Sequence, residues 1–234
     1  MTMTESTTTT ADKPTNETVA SLRNVSVTLG DHDILTGVDL DIFKGEMLGI
    51  IGGNGTGKST LLKLLVGLLR PSSGDVTVFD ETPDSPRVLH RIGSAIDEPA
   101  LYPWMSGRSV IKTVLDLRGE RAGDTPKVLL DKFGLGDAGR KPVSRYSQGM
   151  KKRLALAVAA IGEPDLVLLD EPTNALDPEA RADINAWLAE LRANGTTIVL
   201  ITHRVSEAET CDRLLRLVGD GTVAQGASTD LHDT

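Results

Sequence analysis

Beyond a polar N-terminal stretch, three short apolar runs follow one another, Val25–Leu29, Val38–Ile42 and Glu46–Ile51, broken by Gly30-Asp31, Thr36-Gly37 and Lys44-Gly45. Such runs cut by turn residues predict strands, here an antiparallel start feeding a central strand. From Ser59 to Leu69 apolar residues surround a helical projection almost completely, which predicts a buried helix ended by Pro71 and Ser72-Ser73-Gly74. Asp75–Phe79 reads as another strand. Between about Leu101 and Gly162 the period becomes helical, with Val110–Leu117, Pro126–Phe133 and Gln148–Ile161 as the helices. Two continuous apolar strands, Leu166–Leu169 and Thr197–Ile201, then flank a helix over Pro178–Ala193. A last strand pair, Leu214–Val218 and Thr222–Ala224, turns at Gly219-Asp220-Gly221. Uninterrupted apolar strands alternating with helices indicate a parallel sheet covered on both faces. The expected fold is α/β: a mostly parallel sheet, an antiparallel β subdomain and an inserted α-helical subdomain.

Composition narrows this picture without changing it. A chain of 234 residues suits one domain, expected over 21–234 with the helical insertion at 93–162. Residues 1–20 are Thr-rich with scattered charges and no apolar segment, and read as a disordered tail rather than a signal peptide. The formal net charge of −8 argues against a nucleic-acid partner. No stretch approaches the roughly 18 apolar residues that span a bilayer. Cys211 has no second cysteine to pair with, and reads as a small buried residue in a reducing compartment.

Chemistry enters at Gly52-Gly53-Asn54-Gly55-Thr56-Gly57-Lys58-Ser59, which fits G-x-x-x-x-G-K-[ST] directly after the strand Met47–Ile51. Glycines let the backbone curl so that N–H groups converge on phosphate oxygens, and the helix beginning near Lys58 adds the positive end of its dipole. The segment Gly52–Thr60 is therefore expected to cradle a nucleoside triphosphate, with Lys58 on the β/γ-phosphates and Ser59 on Mg²⁺. Leu166–Leu169 runs into Asp170-Glu171, two carboxylates at the carboxyl end of a buried strand, where open α/β sheets bind ligands. Asp170 suits the outer shell of Mg²⁺, and Glu171 suits polarising a water for in-line attack on the γ-phosphate.

Shortly before that strand lies Ser144-Arg145-Tyr146-Ser147-Gln148-Gly149-Met150-Lys151-Lys152-Arg153. With it, the chain from Leu22 to Leu231 resembles the ATP-binding subunits of ABC transporters, and more closely their drug- and antibiotic-export, bacitracin-type branch. Tyr146–Met150 occupies the place of the family's LSGGQ signature, keeping Ser147 and Gly149 and replacing three letters. Ser147 can cap the following helix and present free N–H groups to an anion. The resemblance implies that this anion is a γ-phosphate held by an opposite subunit, so that Ser147, Gln148 and Gly149 complete a site in trans. Lys151, Lys152 and Arg153 read as a solvated helix face rather than as phosphate ligands. The resemblance further makes Asn174-Ala175-Leu176-Asp177 a D-loop crossing the dimer interface, and His203, with Glu207-Ala208-Glu209 behind it, the switch histidine at the γ-phosphate.

Two positions depart from the family. Ile92–Pro103 resembles the Q-loop, but Asp97 stands where glutamine is usual; an acid there can still approach Mg²⁺ or the attacking water. Leu29 sits where an aromatic side chain stacks on adenine, and no aromatic residue precedes Phe43. Weaker or less base-selective nucleotide binding is the expected consequence, since stacking contributes about 1–3 kcal/mol.

The resemblance implies an ATPase that uses ATP and Mg²⁺, works as a homodimer or heterodimer of ATP-binding subunits and sits peripherally on the cytoplasmic face of the cell membrane. It would power a separate permease exporting a drug, antibiotic or other hydrophobic compound. The permease would dock near Asp97–Trp104 and the helical insertion, where Leu101–Met105 serves either that contact or core packing. Other readings are an importer ATPase, a soluble non-transport ABC ATPase and a catalytically inactive regulatory subunit. A P-loop kinase or GTPase is disfavoured, because Ser147–Gly149, Asp170-Glu171 and His203 would be coincidences and no N-K-x-D motif occurs.

Overall fold

A computed structural model describes residues 17–96 and 102–218, together with the backbone of 223–227. Strands β1 (Thr18–Leu29) and β2 (His32–Phe43) form a long antiparallel hairpin, and β4 (Ser73–Val78) pairs with the other edge of β1. Three residues expected in the N-terminal tail, Thr18, Val19 and Ala20, belong to β1, where Ala20 pairs with both Ile42 and Val78. Val19 and Ala20 are buried, which is why strand pairing extends past the polar composition that suggested a tail.

The second sheet has six strands in the order β5-β6-β7-β3-β8-β9. Its members are β3 (Met47–Gly52), β5 (Ile92–Ala95), β6 (Leu166–Asp170), β7 (Thr197–Ile201), β8 (Arg213–Leu217) and β9 (Val223–Ala227). All pairings are parallel except β8 with β9. The central strands are buried on both faces, hence their unbroken apolar character. Strand β5 pairs with β6 and so belongs to this sheet, which moves the start of the helical insertion past the expected residue 93. Gly93 and Ser94 hid that strand, because a four-residue run with two small residues gives almost no periodic signal. The turn expected at Gly219-Asp220-Gly221 lies outside the described residues.

Helix α1 (Lys58–Leu65) stops four residues before the predicted end. Gly67 adopts φ +70°, and its N–H and that of Leu68 return to the Leu64 and Lys63 carbonyls, so a left-handed glycine cap ends the helix upstream of Pro71. After the short α2 (Pro86–Leu89), the insertion contributes α3 (Gly107–Leu117), α4 (Thr125–Lys132) and α5 (Gln148–Ala159). Helices α6 (Pro178–Ala193) and α7 (Val205–Ala208) complete the core. One hydrophobic cluster joins the antiparallel sheet and α1 to one face of the six-stranded sheet; a second joins the opposite face to α3–α6. Phe133 and Trp187, ring centroids 5.1 Å apart, lock the insertion against α6 in that second cluster. Among the described residues no helix is long and apolar enough to cross a membrane.

Candidate nucleotide site

The loop between β3 and α1 is shaped by two glycines that no other residue could replace without movement. Gly52 has φ +148°, and a Cβ there would lie 2.4 Å from the Leu217 carbonyl oxygen on the adjacent strand β8. Gly57, at φ +95°, would drive a Cβ to 2.7 Å from Leu35 and 3.0 Å from the Ile34 carbonyl oxygen. It occupies the N-cap position of α1 with no side-chain cap, and no acidic residue lies in the first turn. The opening N–H groups of α1 are thus left for an anion, at the positive end of the helix dipole.

Above this loop lies a cavity of about 310 Å³ lined by Ile34, Asn54, Gly55, Gly57, Lys58, Ser59, Thr60, Asp170 and Glu171. Gly52, Gly53 and Thr56 line a second hollow on the β8 side, and the Thr56 hydroxyl donates to the Gly53 carbonyl at 3.0 Å. Lys58 is only 7% exposed, and its Nζ donates to the carbonyls of Gly52 at 3.0 Å and Gly53 at 2.6 Å. Burial holds its ammonium pKa below the ordinary lysine value, while Glu171 and Asp170 oppose that shift. Ser59 Oγ donates to Asp170 Oδ2 at 2.6 Å, joining the start of α1 to the end of β6. A serine hydroxyl and a carboxylate make a hard oxygen set suited to Mg²⁺, with the remaining positions left to phosphate and water.

Glu171 turns away from the end of β6 at φ +46°, a left-handed conformation uncommon for a non-glycine residue and the more so ahead of Pro172. One carboxylate oxygen faces His203 Nε2 at 2.9 Å and the other accepts from Asn174 Nδ2 at 2.8 Å. The structure brings Lys58, Ser59, Thr60, Asp170 and Glu171 onto one cavity and places His203 beside Glu171. Asp97 lies outside the described residues.

Ser147, Gln148 and Gly149 stand apart from this cluster. Ser147 is the N-cap of α5 and its Oγ accepts from the Met150 N–H at 3.2 Å. Ser147 and Gln148 are exposed, Gly149 packs towards Ala175 and Leu176, and none of the three lines the cavity over the loop. Tyr146 is instead a core residue: its hydroxyl donates to the Ala138 carbonyl at 2.9 Å, and burial raises its pKa.

The basic run after the signature differs from its reading as a solvated face. Lys151, Lys152 and Arg153 are all partly buried; Lys152 Nζ donates to the Asp170 carbonyl at 2.5 Å, and Arg153 reaches the Gly134 carbonyl at 3.3 Å. A polar run at the start of an amphipathic helix gives no sign that one member will cross to a neighbouring strand end. Ile34 was also missed, because an isolated Ile in a hairpin looks like ordinary strand filling. The position expected to stack on adenine, Leu29, is 47% exposed at the end of β1. Phe43 is engaged elsewhere, its ring 5.2 Å from the Arg213 guanidinium.

Comparison with known proteins agrees with this geometry. The ABC transporter family model matches residues 35–174. The lantibiotic transport ATP-binding protein SrtF of Streptococcus pyogenes is 37% identical over 202 residues, covering 86% of this chain and 87% of that protein. A fluoroquinolones export ATP-binding protein of Mycobacterium tuberculosis is 38% identical over 198 residues, covering 83% of this chain and 65% of that protein. Among solved structures, a dimeric ATP-binding cassette in a post-hydrolysis state with ADP and Pi superposes with a TM-score of 0.82 at 27% identity, over 89% of this chain and 98% of that one. A glycine cradle with its lysine, a serine–aspartate pair and a glutamate held beside them, together with these likenesses, identify the chain as an ATP-binding domain of the ABC transporter family.

Proposed function

We propose that this protein is the ATP-hydrolysing subunit of a transporter, driving a separate membrane permease that exports a drug, antibiotic or other hydrophobic compound from the cytoplasmic face of the cell membrane. The observation that carries the reading is the placing of Glu171: its carboxylate lines the same cavity as Lys58 and Ser59 and is held at both oxygens, by Asn174 and His203. In this arrangement the loop amides and Lys58 grip the β- and γ-phosphates, and Glu171 accepts hydrogen-bonding from the attacking water and withdraws its proton as attack proceeds. His203, next to the same carboxylate, fixes its orientation and faces the departing phosphoryl group. Mg²⁺ would be held through Ser59 and Asp170, where it supplies neutralising charge to the phosphate oxygens.

The separation of Ser147–Gly149 from the cavity supports a head-to-tail pair of chains, identical or related, each completing the other's site with the exposed N-terminus of α5. The relative named for fluoroquinolone export supports the direction of transport. For the permease contact, Tyr102 and Trp104 are 56% and 75% exposed, with rings 5.3 Å apart, while neighbouring Met105 packs into the helical cluster. This aromatic corner is pinned by Val143 N–H to the Met105 carbonyl at 2.8 Å and Ser144 N–H to the Pro103 carbonyl at 2.9 Å, and supports a fixed docking point.

Phosphate release provides the test. Wild-type protein with ATP and Mg²⁺ releases phosphate, and Glu171→Gln lowers the rate by about a hundredfold or more while nucleotide still binds, the expected cost of losing a general base. Equal rates for the two would remove Glu171 from the mechanism.

A further inference from the structure

Glu207 is buried to 4% exposure and does not line the cavity over the phosphate loop. Its two oxygens go to two different segments. Oε1 accepts from the Thr173 hydroxyl, and Oε2 accepts from the Thr202 hydroxyl at 2.6 Å. Both threonines are buried, at 2% and 1% exposure, and Arg204 Nε lies 3.6 Å from Oε1. Thr173 immediately precedes Asn174, and Thr202 immediately precedes His203. These are the two residues that hold the oxygens of Glu171.

We infer that Glu207 is a positioning residue for ATP hydrolysis, a buried strut that sets the spacing between Asn174 and His203 and thereby aims the Glu171 carboxylate. The Asn174 segment leaves β6 and the His203 segment leaves β7, and near their ends the Glu171 N–H donates to the Ile201 carbonyl at 3.0 Å. Beyond that point the Thr173 and Thr202 hydroxyls both donate to the Glu207 carboxylate, which joins the two segments through hydrogen bonds. Its own place is fixed by α7, where the Glu207 and Ala208 N–H groups donate to the Arg204 carbonyl at 3.1 and 3.0 Å. The Arg204 N–H in turn donates to Thr202 Oγ1 at 3.0 Å. A buried carboxylate is costly unless fully engaged, and here both oxygens serve segments that carry ligands of one catalytic group. Sub-ångström errors in such an orientation are costly to turnover while leaving substrate affinity, set at the phosphate loop, untouched.

The inference rests on Glu171 acting as the base. Its test is steady-state phosphate release by the full-length chain, with kcat and the KM for ATP measured separately for wild type, Glu171→Gln, Thr173→Val, Thr202→Val, the double valine variant, Glu207→Ala and Glu207→Gln. Valine matches threonine in shape, so the valine variants remove the strut contacts even if Glu207→Ala does not fold. Expected for the double valine variant is a kcat lowered about tenfold with a KM within about twofold of wild type, the signature of an interaction felt in the transition state. Glu207→Gln, which can still hydrogen-bond both hydroxyls, retains most of the rate. Combining the double valine variant with Asn174→Ala gives less than the product of the separate losses, because both act through one carboxylate. An unchanged kcat in the double valine variant, a fall in kcat there matched by an equal-fold rise in KM, or a Glu207→Gln variant that loses as much rate as Glu207→Ala overturns the inference. Absence of phosphate release from wild type overturns the hydrolase reading as well.

Discussion

Around Gly52–Ser59 the polar groups find partners within the chain, whereas around Ser147–Gly149 they face outwards. Lys58 lies on the carbonyls of its own loop, Ser59 on Asp170, and Glu171 between Asn174 and His203. Among the described residues Ser147 is engaged in capping its helix, and Gln148 beside it is exposed. The first region is organised by contacts within one chain; the second leaves Ser147 and Gln148 exposed at the N-terminus of α5. Both regions point helix N-termini outward, so what separates them is whether the surrounding side chains converge.

The largest expected effect breaks the self-contained half. Lys58→Ala removes the principal cation at the phosphates, and with charge-assisted hydrogen bonds contributing about 1.5–3 kcal/mol each, nucleotide affinity falls about a hundredfold in equilibrium binding. Folding tells a different story. Because burial lowers the folded-state pKa of Lys58 below 10.5, its desolvation cost is present in full at neutral pH and is relieved only as the pH rises through that lowered value. Loss of the two carbonyl contacts and loss of this cost offset each other, so the nucleotide-free variant unfolds within about 1 kcal/mol of wild type at pH 7. Wild type gains relative to the variant as the pH is raised towards 10.5, measurable by denaturant titration. A large loss of nucleotide-free stability at pH 7 would show that the lysine builds the loop rather than waits for a ligand.

A smaller effect breaks the outward-facing half. Aspartate caps helices as well as serine does, so Ser147→Asp keeps α5 intact while setting a negative charge against an approaching phosphate. Phosphate release drops by about thirtyfold, whereas single-chain nucleotide affinity and the thermal midpoint stay near wild type, consistent with surface changes of within about 0.5 kcal/mol. Mixing this variant with Lys58→Ala sharpens the comparison further: in a mixed pair one site retains both an intact loop and an intact serine, and activity partly returns. No recovery on mixing would contradict a site shared between chains.

Much of this division could be read from the residues in order. The apolar runs at Met47–Ile51, Leu166–Leu169 and Thr197–Ile201 fell where strands occur, because central strands of a parallel sheet are buried on both faces and leave an unmixed signal. Motif spacing singled out Lys58, Ser59, Asp170 and His203, and in the fold each follows the carboxyl end of one of those strands, with Lys58, Ser59 and Asp170 on one cavity and His203 against Glu171. What stayed hidden depended on tertiary crossing. Strand β5 lacked apolar contrast, the end of α1 was decided by Gly67 rather than Pro71, and Lys152 reached a strand end 18 positions away. Glu207 was visible as a residue, but the convergence of Thr173 and Thr202 on it is a property of the folded carboxyl ends of β6 and β7.

The smallest expected effect concerns the base rather than the phosphates, and extends the comparison to a third, sparsely furnished region. Among the described residues lining the cavity, only Ile34 offers an apolar side chain, and Leu29 is half exposed at the hairpin end. An aliphatic side chain can cover a base but cannot match the polarisable face of an aromatic ring, and it has no donor or acceptor to distinguish adenine from guanine. ATP and GTP are therefore expected to compete within about threefold of one another. Leu29→Tyr should tighten ATP binding about fivefold, the lower end of the 1–3 kcal/mol that a stacked base contributes. The gain should appear equally for GTP, because stacking does not read the base edge. Tyrosine suits the strand end as well as leucine does, so fold stability serves as the control. A strong adenine preference in wild type, or no gain on adding the ring, would place base recognition elsewhere on the chain and leave the hairpin end without a part in nucleotide binding.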